Sequence, residues 1–206
     1  MNGIIRDLHC VPESLSGPID PAVVTRLRTH FALSDYFVAQ MAKCHGGIPA
    51  IGTFTVGEEE DQIARFLSLL DEDSELIGPP RPHFEGWGDE RVVNAIPYLA
   101  RDGACSDLFF SYLMPFASLE DGSEMRLDCN YVDLVCLDFH VNREVPTVVY
   151  WRSNKVIDAS RAWEALPEDK MYDEDGECAN VPWDMFLIPL ADTFEEFIND
   201  LRENPA

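Results

Sequence analysis

Clusters of Asp and Glu are the residues of this chain whose types and spacing could do chemistry. Two carboxylates held close together can act as acid and base in a hydrolase, and exposed carboxylates can bind basic side chains. The clusters are Glu58, Glu59, Glu60 and Asp61; Glu120, Asp121 and Glu124; and Asp173, Glu174, Asp175 and Glu177. The first cluster is most simply explained as the charged start of a helix. The other two are predicted contact sites for a partner.

The loop at 173–177 resembles a calcium-binding EF-hand only at first sight. If Gly176 takes the sixth position of that motif, Met171 takes the first position and Pro182 the twelfth. Those two positions require Asp and Glu. We therefore exclude calcium binding through this motif.

The thiols and imidazoles show no catalytic pattern. Six cysteines stand singly, without a Cys-x-x-Cys pair, which argues against a zinc ribbon or a redox motif and predicts reduced structural thiols. His45, beside Gly46-Gly47, is predicted to lie at a helix C-terminus, where an imidazolium would suit the helix dipole. No phosphate-binding glycine loop or hydrolase motif occurs. We expect no catalytic residue, metal or cofactor, with an acidic hydrolase or metal-dependent enzyme left as an alternative.

The charge balance indicates the kind of partner. The chain has 38 Asp and Glu against 15 Lys and Arg, a formal charge of −23. This charge opposes nucleic-acid binding, because phosphate contacts need cations, and it favours a basic protein partner. A folded core is still expected, since 46% of the residues are hydrophobic. Without a secretory signal or a membrane span, we expect a cytoplasmic protein with no membrane partner.

Two helices are predicted near the start of the chain. Asp20 precedes Pro21, a favourable helix start, and apolar residues continue at helical spacing to about Phe31. Ser34 can cap a second helix, which Gly46-Gly47 would end. A strand at 51–56 and a third helix from Glu58 should follow, the latter burying Ile63, Phe66, Leu67 and Leu70.

The second half of the chain reads mainly as strands. We expect a meander of strands at 125–129, 134–139 and 147–151, a short strand at 186–188 and a final helix capped by Thr193. The segments at 71–107 and 154–181 are predicted insertions, with short helices at 89–95 and 160–166. The length favours one domain over residues 1–206.

The order of four segments resembles the SUKH superfamily of bacterial immunity proteins and fungal cell-wall-synthesis regulators. These segments are LSDYFVAQMAKCHGGIP, QIARFLSLL, LMPFASLEDGSEMRLD and FLIPLADTFEEFINDL. The chain departs from the family pattern at Ser34, His45, Ser123-Glu124 and Thr193. The matching residues are Leu33, Tyr36, Phe37, Gly46, Gly47, Pro115, Phe116, Ala117, Leu127, Asp128, Ala191, Phe194, Phe197 and Leu201.

The resemblance implies a single α+β domain, with a mostly antiparallel sheet flanked by helices, and no enzymatic activity. Many members of the family bind and neutralise a cognate toxin, often a nuclease or a deaminase. The expected partner is therefore a basic toxin domain. An intracellular scaffold or regulatory module with a different partner is the alternative.

Overall fold

The computed structural model describes residues 6–15, 17–29, 31–70, 113–119, 133–152, 155, 161–172, 180, 182 and 185–203. Its helices are α1 (Pro21–Arg28), α2 (Asp35–Cys44), α3 (Glu168–Met171) and α4 (Phe194–Asp200). Its strands are β1 (Ile51–Val56), β2 (Glu59–Gln62), β3 (Arg65–Phe66), β4 (Leu113–Ser118), β5 (Leu134–Asp138), β6 (Thr147–Trp151), β7 (Leu187–Ala191) and β8 (Arg202–Glu203). Across these described ranges, every helix is too short or too polar to cross a membrane.

The strands form two antiparallel sheets. Strands β3 to β7 follow one another across a five-stranded sheet, and β1 lies between β2 and β8 in a three-stranded sheet. The predicted α+β class and antiparallel pairing are confirmed, although the described strands form two sheets where one was expected. The predicted meander is confirmed for the strands at 134–139 and 147–151, which are neighbouring β5 and β6.

Side-chain caps begin the three longer helices where the sequence predicts them. A capping oxygen prevents the first backbone amides of a helix from being left without a partner. The accepted hydrogen bonds run from the Ala22 amide to Asp20 at 2.8 Å, from the Phe37 amide to Ser34 at 3.1 Å and from the Glu196 amide to Thr193 at 3.1 Å. The first helix ends at Arg28, earlier than the predicted Phe31.

The cap of α4 offers a measurable effect. Replacing Thr193 with Ala is expected to lower the free energy of unfolding by about 1 kcal/mol, because the Glu196 amide loses its acceptor. Urea unfolding measures the change. The variant Thr193→Ser keeps the hydroxyl and should retain most of the stability, so equal losses in the two variants would contradict the capping role.

Aromatic rings join α2 and α4 to the five-stranded sheet. The ring of Phe116 in β4 lies 6.0 Å from Phe37 in α2, and 5.3 Å and 6.0 Å from Phe194 and Phe197 in α4. Phe37 and Phe194 also contact each other, with ring centres 4.8 Å apart. All four side chains are buried, so this cluster fixes α2 and α4 against β4.

The helix predicted from Glu58 is wrong. Gly57 has a φ of +64°, and the chain turns there and returns as β2, with Val56 opposite Glu59. Glycine adopts this left-handed backbone without steric penalty, which favours a two-residue hairpin turn. The apolar residues at 63, 66, 67 and 70 are buried as predicted, but in β3 and the segments beside it.

Other predicted elements have mixed outcomes. The strand at 51–56 is confirmed as β1, and residues 161–164 are helical within the predicted helix at 160–166. The short strand predicted at 186–188 begins at Leu187 and extends to Ala191 as β7. The predicted strand at 125–129 and helix at 89–95 lie outside the described residues.

Candidate functional site

The β1–β2 hairpin places four successive acidic residues at the border of a sheet. Strand β2 pairs with β1 and is the outermost strand of its three-stranded sheet. We call residues 58–62, the turn residue Glu58 together with β2, the acidic edge. Successive side chains of a strand point to opposite faces. Glu59 and Asp61 therefore lie on one face and Glu60 on the other.

Arginine side chains contact the acidic edge on both faces. A Glu59 carboxylate oxygen lies 3.4 Å from a guanidinium nitrogen of Arg152, and a Glu60 oxygen lies 2.5 Å from one of Arg202. The side chains of Glu59 and Glu60 remain 79% and 63% exposed. Exposed ion pairs contribute only about 0–1 kcal/mol, so a partner's cations can compete for these carboxylates.

Tyr150 connects the acidic edge to the five-stranded sheet. Its hydroxyl lies 2.6 Å from a carboxylate oxygen of Asp133 and 3.1 Å from one of Asp61. The buried ring also packs edge-on against Phe54 of β1, at 6.1 Å between centres. Burial raises the pKa of Tyr150, and the hydrogen bond with Asp133 raises it further, so the phenol stays protonated and can donate. The two carboxylates converge on this single donor, which ties the two sheets together.

Loss of that donor should be measurable. The variant Tyr150→Phe is expected to lower the free energy of unfolding by about 1–3 kcal/mol, because the carboxylates lose a partly buried hydrogen bond. Chemical denaturation would measure it. Tyr36→Phe is the matched control: its hydroxyl donates to the Arg6 carbonyl at the surface, at 3.1 Å, and should contribute less. A larger loss at Tyr36 would contradict the linking role of Tyr150.

The partner-contact residues predicted from the sequence lie outside the described residues, as does Asp128. They are Asp173, Glu174, Asp175, Glu177, Glu120, Asp121 and Glu124. The described residues on either side of the 120–132 segment are Leu119 and Asp133, and the Leu119 amide donates to the Asp133 carbonyl at 3.2 Å. The site that the described residues form is the acidic edge with Asp133. The sequence pattern predicts a helix start at residues 58–61, and no pattern in the sequence singles out Asp133 or Tyr150.

Much of the acidic charge lies elsewhere in the chain. Seventeen of the 38 Asp and Glu belong to the segments 71–112, 120–132 and 173–179, which are outside the described residues. Among the residues that the structure describes, no group of three or more His, Cys, Asp or Glu side chains is arranged to hold a metal ion.

Several residues that carry the family resemblance pack between elements of the fold. Tyr36 packs against Phe194, with ring centres 6.0 Å apart, and Leu33 is buried just before α2. Pro115 lies opposite Cys136 in the β4–β5 pair, where the register shifts. With Phe197 in the aromatic cluster, these residues from distant segments hold α2, β4 and α4 together.

The paired glycines after α2 meet two different requirements. Gly46 has a φ of +70°, the left-handed backbone that commonly follows a helix. A Cβ atom at Gly47 would lie 2.8 Å from Cδ2 of Leu15, 2.9 Å from the Cys44 carbonyl oxygen and 3.0 Å from Cβ of Cys10. Any larger residue at this position would have to displace backbone as well as side chains. The double glycine is therefore needed for close packing as well as for the turn.

His45 is the C-cap residue of α2, so its predicted place at the helix C-terminus is confirmed, but its ring is buried and neutral and puts no imidazolium there. Its Nε2 lies 2.6 Å from the Gly17 carbonyl oxygen, and its Nδ1 accepts from the Leu69 amide at 3.3 Å. A carbonyl can only accept, which assigns the ring proton to Nε2. Burial lowers the pKa of His45, although the Gly17 hydrogen bond partly opposes this. The side chain joins three segments and is not placed to act as a surface acid, base or ligand.

The described cysteines are free thiols, as predicted: Cys10, Cys44 and Cys136. The Cys10 thiol contacts the Cys44 carbonyl oxygen at 3.8 Å. Burial raises the pKa of Cys136, which lies in the middle of β5. A thiol in such surroundings behaves as a small apolar residue.

The chain matches no protein-family model, no curated protein and no solved structure.

Proposed function

We propose that this chain is a non-enzymatic immunity protein that binds a cognate basic toxin domain, of the nuclease or deaminase class, and neutralises it. The observation that carries this proposal is the acidic edge, an exposed strand of successive carboxylates at the border of a sheet. The formal charge of −23 and the resemblance of four segments to the SUKH superfamily support it.

The charges of the two proteins would act in two ways. A nuclease or deaminase that holds nucleic acid presents Lys and Arg to the phosphates. The negative field of this chain would speed the encounter with such a surface. Carboxylates of the acidic edge would then form ion pairs with the Lys and Arg side chains that otherwise bind nucleic acid. Binding and inhibition would follow from the same contacts.

The direct test uses a candidate toxin domain, namely the basic C-terminal domain of a secreted protein, if the gene immediately upstream encodes one. We expect a complex with the purified chain and loss of the domain's nuclease or deaminase activity at equimolar ratio. The association rate should fall by roughly tenfold or more between low and about 0.5 M salt. Absence of binding at low salt would contradict the proposal. Binding without inhibition would contradict neutralisation and favour a scaffold or regulatory module.

A pair of charge variants locates the contact. Replacing Glu59 and Glu60 together with Gln should weaken the complex by about tenfold or more, mainly through lost charge pairs. The control replaces Glu195 and Glu196, two exposed acids of α4, with Gln and makes the same change in net charge. Equal weakening in both double variants would show an effect of net charge alone and would contradict a contact at the acidic edge.

A further inference from the structure

The backbone of the acidic edge presents hydrogen-bonding groups away from its own sheet. In an antiparallel pair, successive residues of a strand point their N–H and C=O groups alternately toward and away from the neighbouring strand. The Ile63 amide donates to the Gly52 carbonyl at 2.9 Å, which sets the phase of this alternation. Counting back along β2, Glu60 and Gln62 point their backbone groups outward.

Within the part of the chain that the structure describes, three of these outward groups have no hydrogen-bond partner. The Gln62 amide already donates to the Asp61 side chain, at 2.8 Å. The Glu60 amide, the Glu60 carbonyl and the Gln62 carbonyl remain. Among the strands that the structure describes, β1 is the sole neighbour of β2. The outer side of β2 is thus a sheet border able to pair with an added strand.

The side chains of this border select the strand that can be added. A second copy would bring its own four acids against these four, and like charges opposite one another are destabilising. A strand with Lys or Arg would meet carboxylates on both faces, since Glu59 and Asp61 lie on one face and Glu60 on the other. Backbone pairing provides register, and the charges exclude self-pairing.

We propose that the acidic edge binds an extended basic segment of the partner as an added β-strand, hydrogen-bonded to Glu60 and Gln62. This inference rests on the proposed function for the identity of the partner. It adds the mode of binding, in which main-chain hydrogen bonds and side-chain charges act together.

A synthetic peptide tests the mode without the toxin. The probe is a seven-residue peptide of alternating Lys and Val with blocked termini. Its control is the same peptide with an N-methyl group on every residue, so that the charge is kept and neither edge of the peptide can donate to β2. Amide NMR titration should show the largest shifts at Glu60 and Gln62, and about tenfold weaker binding of the methylated peptide. Equal affinities would overturn strand addition, because charge alone would then account for binding.

A substitution in the protein gives the reciprocal test. Glu60→Pro removes the outward N–H, and proline is tolerated on edge strands because that group is not used in the β1–β2 pair. Glu60→Gln removes the same charge but keeps the N–H. The Pro variant should bind the Lys-Val peptide about tenfold more weakly than the Gln variant. Equal binding by two folded variants would overturn the proposal. If the Pro variant does not fold, the methylated peptide decides.

The two proposals fail differently. Failure of the peptide to bind, or binding without shifts at Glu60 and Gln62, overturns strand addition even if the toxin domain is neutralised. Failure of the toxin titration overturns the immunity function even if the peptide adds to β2. Sedimentation of the protein alone supplies a further check: self-association that Glu60→Pro abolishes would show that a second copy occupies the edge, contrary to the proposal.

Discussion

Replacing Phe116 with Ala is expected to lower the free energy of unfolding by about 3–5 kcal/mol. The ring is fully buried and contacts Phe37, Phe194 and Phe197, so its removal leaves a cavity between β4 and two helices. Aromatic pairs add about 0.5–1.5 kcal/mol each beyond the buried area. A loss of this size is a large share of the stability of an ordinary domain.

Urea unfolding would measure the effect of Phe116→Ala. Phe116→Leu keeps most of the volume, should lose much less stability and remains usable if the Ala variant does not fold. The control Val141→Ala changes a side chain that is 85% exposed and should alter stability by no more than about 0.5 kcal/mol. A Phe116→Ala loss below about 1 kcal/mol would contradict the central position of this ring.

The second large effect is expected at His45. His45→Ala should lower the free energy of unfolding by about 2–4 kcal/mol, because the Leu69 amide loses its acceptor and the Gly17 carbonyl loses its donor. The control is His9→Ala, the same change at an exposed histidine, which should lower the free energy of unfolding very little. Similar losses in the two Ala variants would contradict a linking role for His45.

The His45 effect should also depend on pH. Burial lowers the pKa of native His45, whereas the unfolded chain keeps the ordinary value of about 6.5. The unfolded state therefore binds a proton first as the pH falls, and the wild-type protein loses stability below about pH 6.5. The Ala variant lacks this titrating side chain and does not lose stability in this way. The stability difference between the two proteins should therefore shrink from pH 7.5 to pH 5. A constant difference across this range would contradict a neutral native His45.

The sequence predicted those elements that depend on residues close together along the chain. Asp20, Ser34 and Thr193 indicated helix starts because a cap acts within three residues of itself. At Glu58, two local signals competed. The acids indicated a helix N-terminus, while Gly57 before them permitted a tight turn, and the turn places β2 against the buried strand β1. Giving more weight to Gly57 would have predicted the hairpin.

The candidate site was only partly predictable from the sequence. The acids of the acidic edge were visible as a cluster, but their place at a sheet border depends on strand pairing. The contact of Tyr150 with Asp61 spans 89 residues of sequence and that with Asp133 spans 17, so no short pattern announces either one. The position of His45 at the end of α2 was predictable, but its buried hydrogen bonds were not, because its partners, Gly17 and Leu69, are far from it along the chain.

The pairing of β1 with β8 has a consequence for synthesis on the ribosome. The β1–β2 hairpin can close through its two-residue turn soon after it emerges, but the other side of β1 pairs with β8, and the Thr55–Arg202 contact joins residues 147 apart. Pairings between such distant segments form slowly. During elongation, one edge of β1 is therefore already paired with the acidic strand β2. The other edge, which later pairs with β8, is still unpaired. Pairing of the Ile51 to Thr53 backbone on that side would have to await synthesis of residues 202–203.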